Sequence, residues 1–202
     1  FRAIEIEEKA YEPDHPNLAR SYSNLAMVER DLRNLPEARR LILRAIEIRE
    51  KAYMPDHPTL ATSYSNLGMV ERDLRNLPEA RRLFFRAIEI EEKAYEPDHP
   101  NLARSYSNLA SVEQDLGNLP EARRLLFRAI EIEEKAYEPD HPALADRYLS
   151  LAVLEMDRGN SNEAIRLMRK AHSIWHKRLG DNYEMTGLAH RWLIANDPEF
   201  EG

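Results

Sequence analysis

Residues 1–26 read FRAIEIEEKAYEPDHPNLARSYSNLA, and the same 26 letters return unchanged at 85–110. Close variants open at Leu43 and Phe127, so the motif recurs every 42 residues. Residues 1–42 and 85–126 differ at only four positions. A period of roughly 20–50 residues is the signature of a solenoid, in which each unit buries its apolar face against its neighbours. The repeat therefore decides the fold class and turns the question of function into one about surfaces.

Each period reads as two helices. Asp14-His15-Pro16 supplies a capping side chain and a proline for a first helical turn. Leu18, Tyr22, Leu25 and Leu32 then follow at helical spacing as one apolar stripe. Arg33-Asn34 interrupts the pattern. Asn34-Leu35-Pro36-Glu37 reads as a capping box and recurs at 76–79, 118–121 and, without the proline, 160–163. Ala38, Leu41, Ile42, Ala45, Ile46 and Ile48 carry the second helix, which the next Pro-Asp-His-Pro at 55–58 stops. Neither helix is apolar toward a single partner only, so each is expected to pack on both sides, as stacked hairpins require.

Bulk properties exclude several functions. The chain has 202 residues, 43% hydrophobic and 32% charged, with a net charge of −7. An acidic balance argues against nucleic acid and acidic membranes as partners. No apolar run approaches the ~20 residues of a membrane span. The absence of cysteine removes disulfide and thiol chemistry and suits a cytoplasmic protein. Six glycines, and 12 prolines placed mainly at fixed repeat positions, leave no low-complexity linker. The chain opens without Met inside a repeat, which reads as a piece of a longer protein.

Asn24-Leu25-Ala26, followed by Leu35, Ala38, Ile42 and Ala45, matches the spacing of the tetratricopeptide repeat (TPR). The period of 42 and the pattern AxxYxNLA…EAxxLxxRAIEIxEKxxxPDHP resemble the kinesin light chain variety of that repeat. The resemblance implies an all-α fold, a right-handed α-α superhelix of stacked antiparallel helix hairpins. It would form one array over 1–202: a half repeat at 1–12, full repeats at 13–54, 55–96, 97–138 and 139–180, and a C-terminal cap at 181–202. Trp175 and Trp192 occur only in the diverged last part, where residues 169–202 read as a closing cap. Two departures stand out. The aromatic usual near the end of the first helix is Glu29, Glu71, Glu113 and Glu155 here, and the turn glycine is Arg33 and Arg75 in two units against Gly117 and Gly159 in the others. An arginine at a left-handed turn position predicts looser turns in the first two units.

In arrays of this kind the first helix of each repeat lines the concave groove. Helical spacing then places Arg20, Ser23, Asn24, Met27, Arg30 and Asp31 on that face. The second unit holds Thr62, Ser65, Asn66, Met69, Arg72 and Asp73 there, and the third Arg104, Ser107, Asn108, Ser111, Gln114 and Asp115. Asn24, Asn66 and Asn108 form a ladder of amides, each able to donate and accept along a peptide backbone. The same asparagine grips peptide backbone in related arrays, although bracing of the adjacent hairpin would explain it as well. The positions 20/62/104, 27/69/111 and 30/72/114 vary between otherwise near-identical units, as a ligand-shaped groove or exposed drift would produce. Arginines there favour carboxylates, with the neighbouring aspartates making the groove mixed in charge. The expected partner is an acidic or mixed-charge linear segment of a protein.

No enzyme is expected. Phosphate loops, nucleophile elbows and zinc-protease motifs are missing from the sequence. His15, His57, His99 and His141 lie one period apart and cannot converge on a metal ion, whose ligands sit within ~2–2.5 Å of it. His172 and His176, four apart on one helix with His190 nearby, are a weak metal signal, so no metal and no cofactor is assigned. Glu29 and its counterparts fall on the buried stripe and predict structural ion pairs with arginines such as Arg39, Arg40 and Arg44 on the following helix. Two other functions remain open. One is a sensor region at the C-terminal end of a signal-transducing NTPase. The other is self-assembly, head to tail, through an uncovered helix at residues 1–11.

Overall fold

The computed structural model describes Glu7 and residues 10–200. The described residues form nine helices and no strand. They are α1 (Pro16–Asp31), α2 (Leu35–Ala52), α3 (Pro58–Asp73), α4 (Leu77–Ala94), α5 (Pro100–Asp115), α6 (Leu119–Ala136), α7 (Pro142–Asp157), α8 (Ser161–Leu179) and α9 (Glu184–Asn196). The chain divides into two compact units, residues 1–96 and 97–202. In the first, α1 pairs with α2, α2 with α3 and α3 with α4. In the second, α5 pairs with α6, α6 with α7, α7 with α8, and α9 covers α8. This is the hairpin stacking expected of a TPR solenoid. The helix expected at 1–11, with its uncovered face, falls mostly outside the described residues.

The histidines start the first helices. His15 Nδ1 accepts the Asn17 N–H at 3.2 Å, and His57, His99 and His141 do the same for Thr59, Asn101 and Ala143. Tyr11, Tyr53 and Tyr137 stack on His15, His57 and His141, with centroids 4.1–4.3 Å apart, and hold the rings in capping position. The adjacent aspartates are thereby free to brace the far end of the same hairpin. Asp14 accepts from Lys51 at 2.8 Å and from Arg44 at 3.2 Å. Asp56 does so from Lys93 and Arg86, and Asp98 pairs with Lys135.

The capping box is not formed. Asn34, Asn76, Asn118 and Asn160 occupy N-cap positions, yet none makes a side-chain cap bond. Each turns its amide backward onto the glutamate five residues earlier, with Nδ2–Oε2 distances of 2.6–2.8 Å. Glu37 meanwhile binds Arg40 through two hydrogen bonds. Donating Nδ2 to a buried carboxylate is a charge-assisted bond that fixes the side chain's orientation, so its oxygen, the atom that would cap, accepts no N–H of the helix end.

The turns before α2 and α4 are not loosened. Arg33 and Arg75 take φ of 64°, and Gly117 and Gly159 take 79°. In all four turns the asparagine N–H reaches the glutamate carbonyl at 2.8 Å. The left-handed arginine costs roughly 1–2 kcal/mol of strain, but the turn hydrogen bonds hold its geometry.

Packing follows the predicted stripe on the second helix: Ala38, Leu41, Ile42, Ala45, Ile46 and Ile48 are all buried. On α1, Leu18, Ala19 and Ala26 are sealed, whereas Leu32 is 70% exposed. Leu32 stands one residue beyond α1 as its C-cap, so the stripe ends before it. The near-identical hairpins differ in how they fill the space between their helices. The position of Ala26, Ala110 and Ala152 is Gly68 in the second hairpin, where Phe84 replaces Ile42, Leu126 and Met168. A Cβ on Gly68 would lie 3.0 Å from the Phe84 ring. Gly68→Ala should therefore forfeit the ~1 kcal/mol that alanine normally gains in a helix, and should recover it in Phe84→Leu. A double-mutant cycle read by urea unfolding should give a coupling of about 1–2 kcal/mol. Additive effects would show that the ring moves aside freely.

Candidate functional site

The first helices expose one polar face in each unit. In residues 1–96, Arg20, Asn24 and Thr62 are exposed, and Met27, Asn66, Met69, Arg30 and Arg72 are half-buried. In residues 97–202, Arg104 is exposed, and Asn108, Ser111 and Gln114 are half-buried. The serines expected beside them are not on this face. Ser23, Ser65 and Ser107 are 5–6% exposed, because their small side chains sit where neighbouring helices approach closely. Ser23 Oγ donates to the Ala19 carbonyl at 2.8 Å, and Ser107 Oγ accepts from Arg147 Nη1 at 2.9 Å.

The amide side chains of Asn24, Asn66 and Asn108 make no hydrogen bond among the described residues. They differ in this from Asn34, Asn76, Asn118 and Asn160, whose amides are consumed by the buried glutamates. Bracing of the hairpin thus falls to the second set. The arginines are also unequal. Arg30 Nε donates to Asp73 at 2.6 Å and its Nη1 lies 3.8 Å from the Met69 sulfur. Gln114 donates to Asp157 at 2.5 Å, the same step from one first helix to the next. Arg30, expected as a free cation, is therefore neutralised, and Arg72 is engaged too. Arg20 and Arg104 keep their charge facing water without a partner among the described residues.

The tetratricopeptide repeat matches at residues 2–51, 18–90, 59–126 and 101–155, and a second form of it at 144–182. The chain belongs to the tetratricopeptide repeat family. Comparison with curated proteins finds no match. Among solved structures it is similar to a Podosopora anserina protein described as a kinesin light chain with nearly identical TPR-like repeats, at 25% identity and a TM-score of 0.76, covering 90% of this chain and 88% of that one. It is also similar to BtubC (BKLC) from P. vanneervenii, at 20% identity and a TM-score of 0.73, over 82% of this chain and 66% of that one. RapI in its apo form matches at 19% identity and a TM-score of 0.76, over 96% of this chain and 52% of that one. The last two likenesses establish the fold alone. A TPR fold is in general a non-catalytic scaffold for protein–protein interaction. No helix among the described residues is long and apolar enough to cross a membrane.

Two of the buried glutamates of this TPR chain, Glu71 and Glu155, join consecutive hairpins. The expected partners on the following helix of the same hairpin are not the ones used. Arg39 on α2 reaches forward to Glu71 on α3 at 2.5 Å, and Arg123 on α6 reaches Glu155 on α7 at 2.7 Å. A second buried polar layer escaped the sequence pattern because it is not periodic. Arg49, 8% exposed, donates to Ser63 at 2.5 Å, while Glu133 at the equivalent position accepts from Arg147 at 3.1 Å. Burial pushes the Glu133 carboxyl up, against the pull of Arg147. The only sign in the sequence was the exchange of Ser for Arg and Glu for Arg at matching repeat positions. His172, His176 and His190 do come together, with ring centroids 5.6–5.8 Å apart. No group of three or more His, Cys, Asp or Glu among the described residues is arranged to hold a metal ion.

Glu71 also accepts from Asn76 at 2.8 Å, so Glu71→Ala strands two donors. Arg39 is half exposed and can turn to water. The loss should then be about 2 kcal/mol rather than the larger cost of an isolated buried charge. An unchanged midpoint in urea would disprove the coupling. Hydrogen bonds from Lys177 and Arg178 hold the Asp140 carboxyl at about 2. A depressed folded value stabilises above the unfolded value and is lost as pH falls toward the folded one. Asp140→Asn should lower the melting temperature at pH 7 and flatten its fall between pH 4 and 2, read by circular dichroism. Parallel curves for the two proteins would contradict the assignment.

Proposed function

We propose that this chain is a protein-interaction scaffold, in each of whose two units the exposed face of the first helices holds an extended segment of a partner. The supporting observation is the contrast between its asparagines. Asn24, Asn66 and Asn108 have amides without a partner among the described residues, at matching positions of α1, α3 and α5. An amide that both donates and accepts pairs with a peptide group without reading its side chain. Helices hold such groups more rigidly than loops, so little ordering entropy is lost on binding.

Selection would come from the residues beside the amides. Met27 and Met69 offer adaptable apolar surface. Arg20 and Arg104, without a partner among the described residues, offer guanidinium groups for carboxylates, while Asp31 is exposed nearby. The segment that fits is acidic or mixed in charge, with apolar side chains beside its carboxylates, and Arg30 contributes shape rather than charge. Display of random linear peptides against the chain should enrich such sequences. The Asn24/Asn66/Asn108→Ala triple variant should lose about a hundredfold in affinity, taking about 1 kcal/mol for each of the three hydrogen bonds, with its melting temperature unchanged. Enrichment indifferent to the triple variant would reject this face as the binding site.

A further inference from the structure

The last helix keeps the place of a first helix but carries a different surface. On α9, Thr186, Leu193 and Asp197 are buried, as Leu144, Leu151 and Glu155 are 42 residues earlier on α7. The exposed face of α9 is therefore in phase with the exposed faces of α5 and α7. Across α5, α7 and α9, one row of that face is Arg104, Asp146 and Leu188, and the next is Asn108, Ser150 and Trp192. Arg104 and Asp146 are exposed, Leu188 is 42% exposed, and Trp192 is half-buried.

Three chemistries thus follow one another in a fixed order. Arg104 has no partner among the described residues, and Asp146 forms no ion pair among them. The guanidinium next to Asp146 in sequence, Arg147, is taken by Glu133 and Ser107. Leu188 and Trp192 stand where α1, α3 and α5 carry arginine or threonine, and asparagine. A single exposed leucine means little. A leucine and a tryptophan four residues apart on one helix face form an apolar patch, here in line with a cation and a carboxylate.

Taking the first-helix face as the binding face, we infer that the second unit reads a bound segment in order: a carboxylate on Arg104, a cation on Asp146, and a large apolar side chain against Leu188 and Trp192. The bonds from Gln114 to Asp157 and from Arg147 to Ser107 hold α5 and α7 side by side. Packed helices stand about 8–10 Å apart, and an extended chain advances about 3.3 Å per residue. The three side chains of the segment then lie about three residues apart. Charge enforces the order, because exchanging the carboxylate and the cation would set like against like on both α5 and α7.

Trp192 reports binding directly, since the chain's other tryptophan, Trp175, is sealed at 0% exposure. Tryptophan-free peptides are titrated into the whole chain while tryptophan fluorescence is followed. One carries glutamate, lysine and phenylalanine at three-residue intervals, made in both chain directions, and its control exchanges the glutamate and the lysine. The better direction should bind at least about tenfold tighter than its control, the factor that one charged hydrogen bond supplies. Asp146→Lys should remove that preference and restore tight binding to a peptide with glutamate in both places, a reversal that a structural role would not produce. Leu188→Ser should weaken binding about fivefold with an unchanged melting temperature. Binding that Asn108→Ala weakens, but that ignores the order of charges or Asp146→Lys, overturns the ordered readout and leaves the face as the binding site. No binding by any of the peptides also overturns the ordered readout. Binding indifferent to Asn108→Ala and Asp146→Lys alike rejects the face itself.

Discussion

A buried carboxylate carries the architecture of the second and fourth repeats. Glu71 shows the full set of contacts. Its carbonyl receives the Asn76 N–H, its carboxylate receives the Asn76 amide, and Arg39 from the preceding hairpin completes it. Two separate problems of a helical solenoid meet in that side chain: reversing the chain inside a hairpin, and fixing how one hairpin lies on the last. An aromatic at this position would fill the space but could not bind the turn. A carboxylate here requires the asparagine that follows and an arginine one hairpin earlier. Glu155 repeats the arrangement with Asn160, Arg123 and Arg158. Burial raises its pKa, yet those donors outweigh burial and hold it below the ordinary carboxylate value.

Around this constant element the hairpins differ where they touch. Gly68 with Phe84 exchanges volume across a helix pair, as close packing demands. Arg49 facing Ser63, and Glu133 facing Arg147, exchange charge between hairpins. In an array of near-identical units any hairpin has a nearly suitable surface for any other. Volume and charge that match only one neighbour favour the native order, because a wrong pairing would bury an arginine or a glutamate without its partner.

The sequence made some of this legible and concealed the rest for identifiable reasons. Helix starts were readable because His-Pro acts locally: a ring nitrogen two residues before the N–H it caps needs no tertiary context. The second-helix core was readable because its apolar spacing is regular. The capping box at Asn34 was misread because the motif describes only what a free helix end would do. Glu29, whose carboxylate orients the Asn34 amide by accepting from Nδ2, comes within reach only when the chain turns back. Leu32 was assigned to the core by spacing, but periodicity does not mark where a helix ends. The expectation of loose turns at Arg33 and Arg75 confused an energetic cost with a geometric one. The turn bonds match those at Gly117 and Gly159, so the strain is borne without displacement.

Spacing alone could not separate the two sets of asparagines. Asn24 and Asn34 are the same residue type in the same repeat, and either one could have braced the hairpin. The difference arises from what lies within reach after folding. Asn34 faces a buried carboxylate that would otherwise lack a donor, so its amide stabilises the fold. Asn24 faces water, where an unpaired amide costs nothing. The same reasoning divides the arginines: Arg30 is held by Asp73, whereas Arg20 is not. A residue whose hydrogen bonds are already made inside the fold contributes little to a partner, because binding would first have to break them. On the first helices Asn24, Arg20 and Arg104 are exposed side chains without a partner among the described residues, and water satisfies them at no cost to the fold.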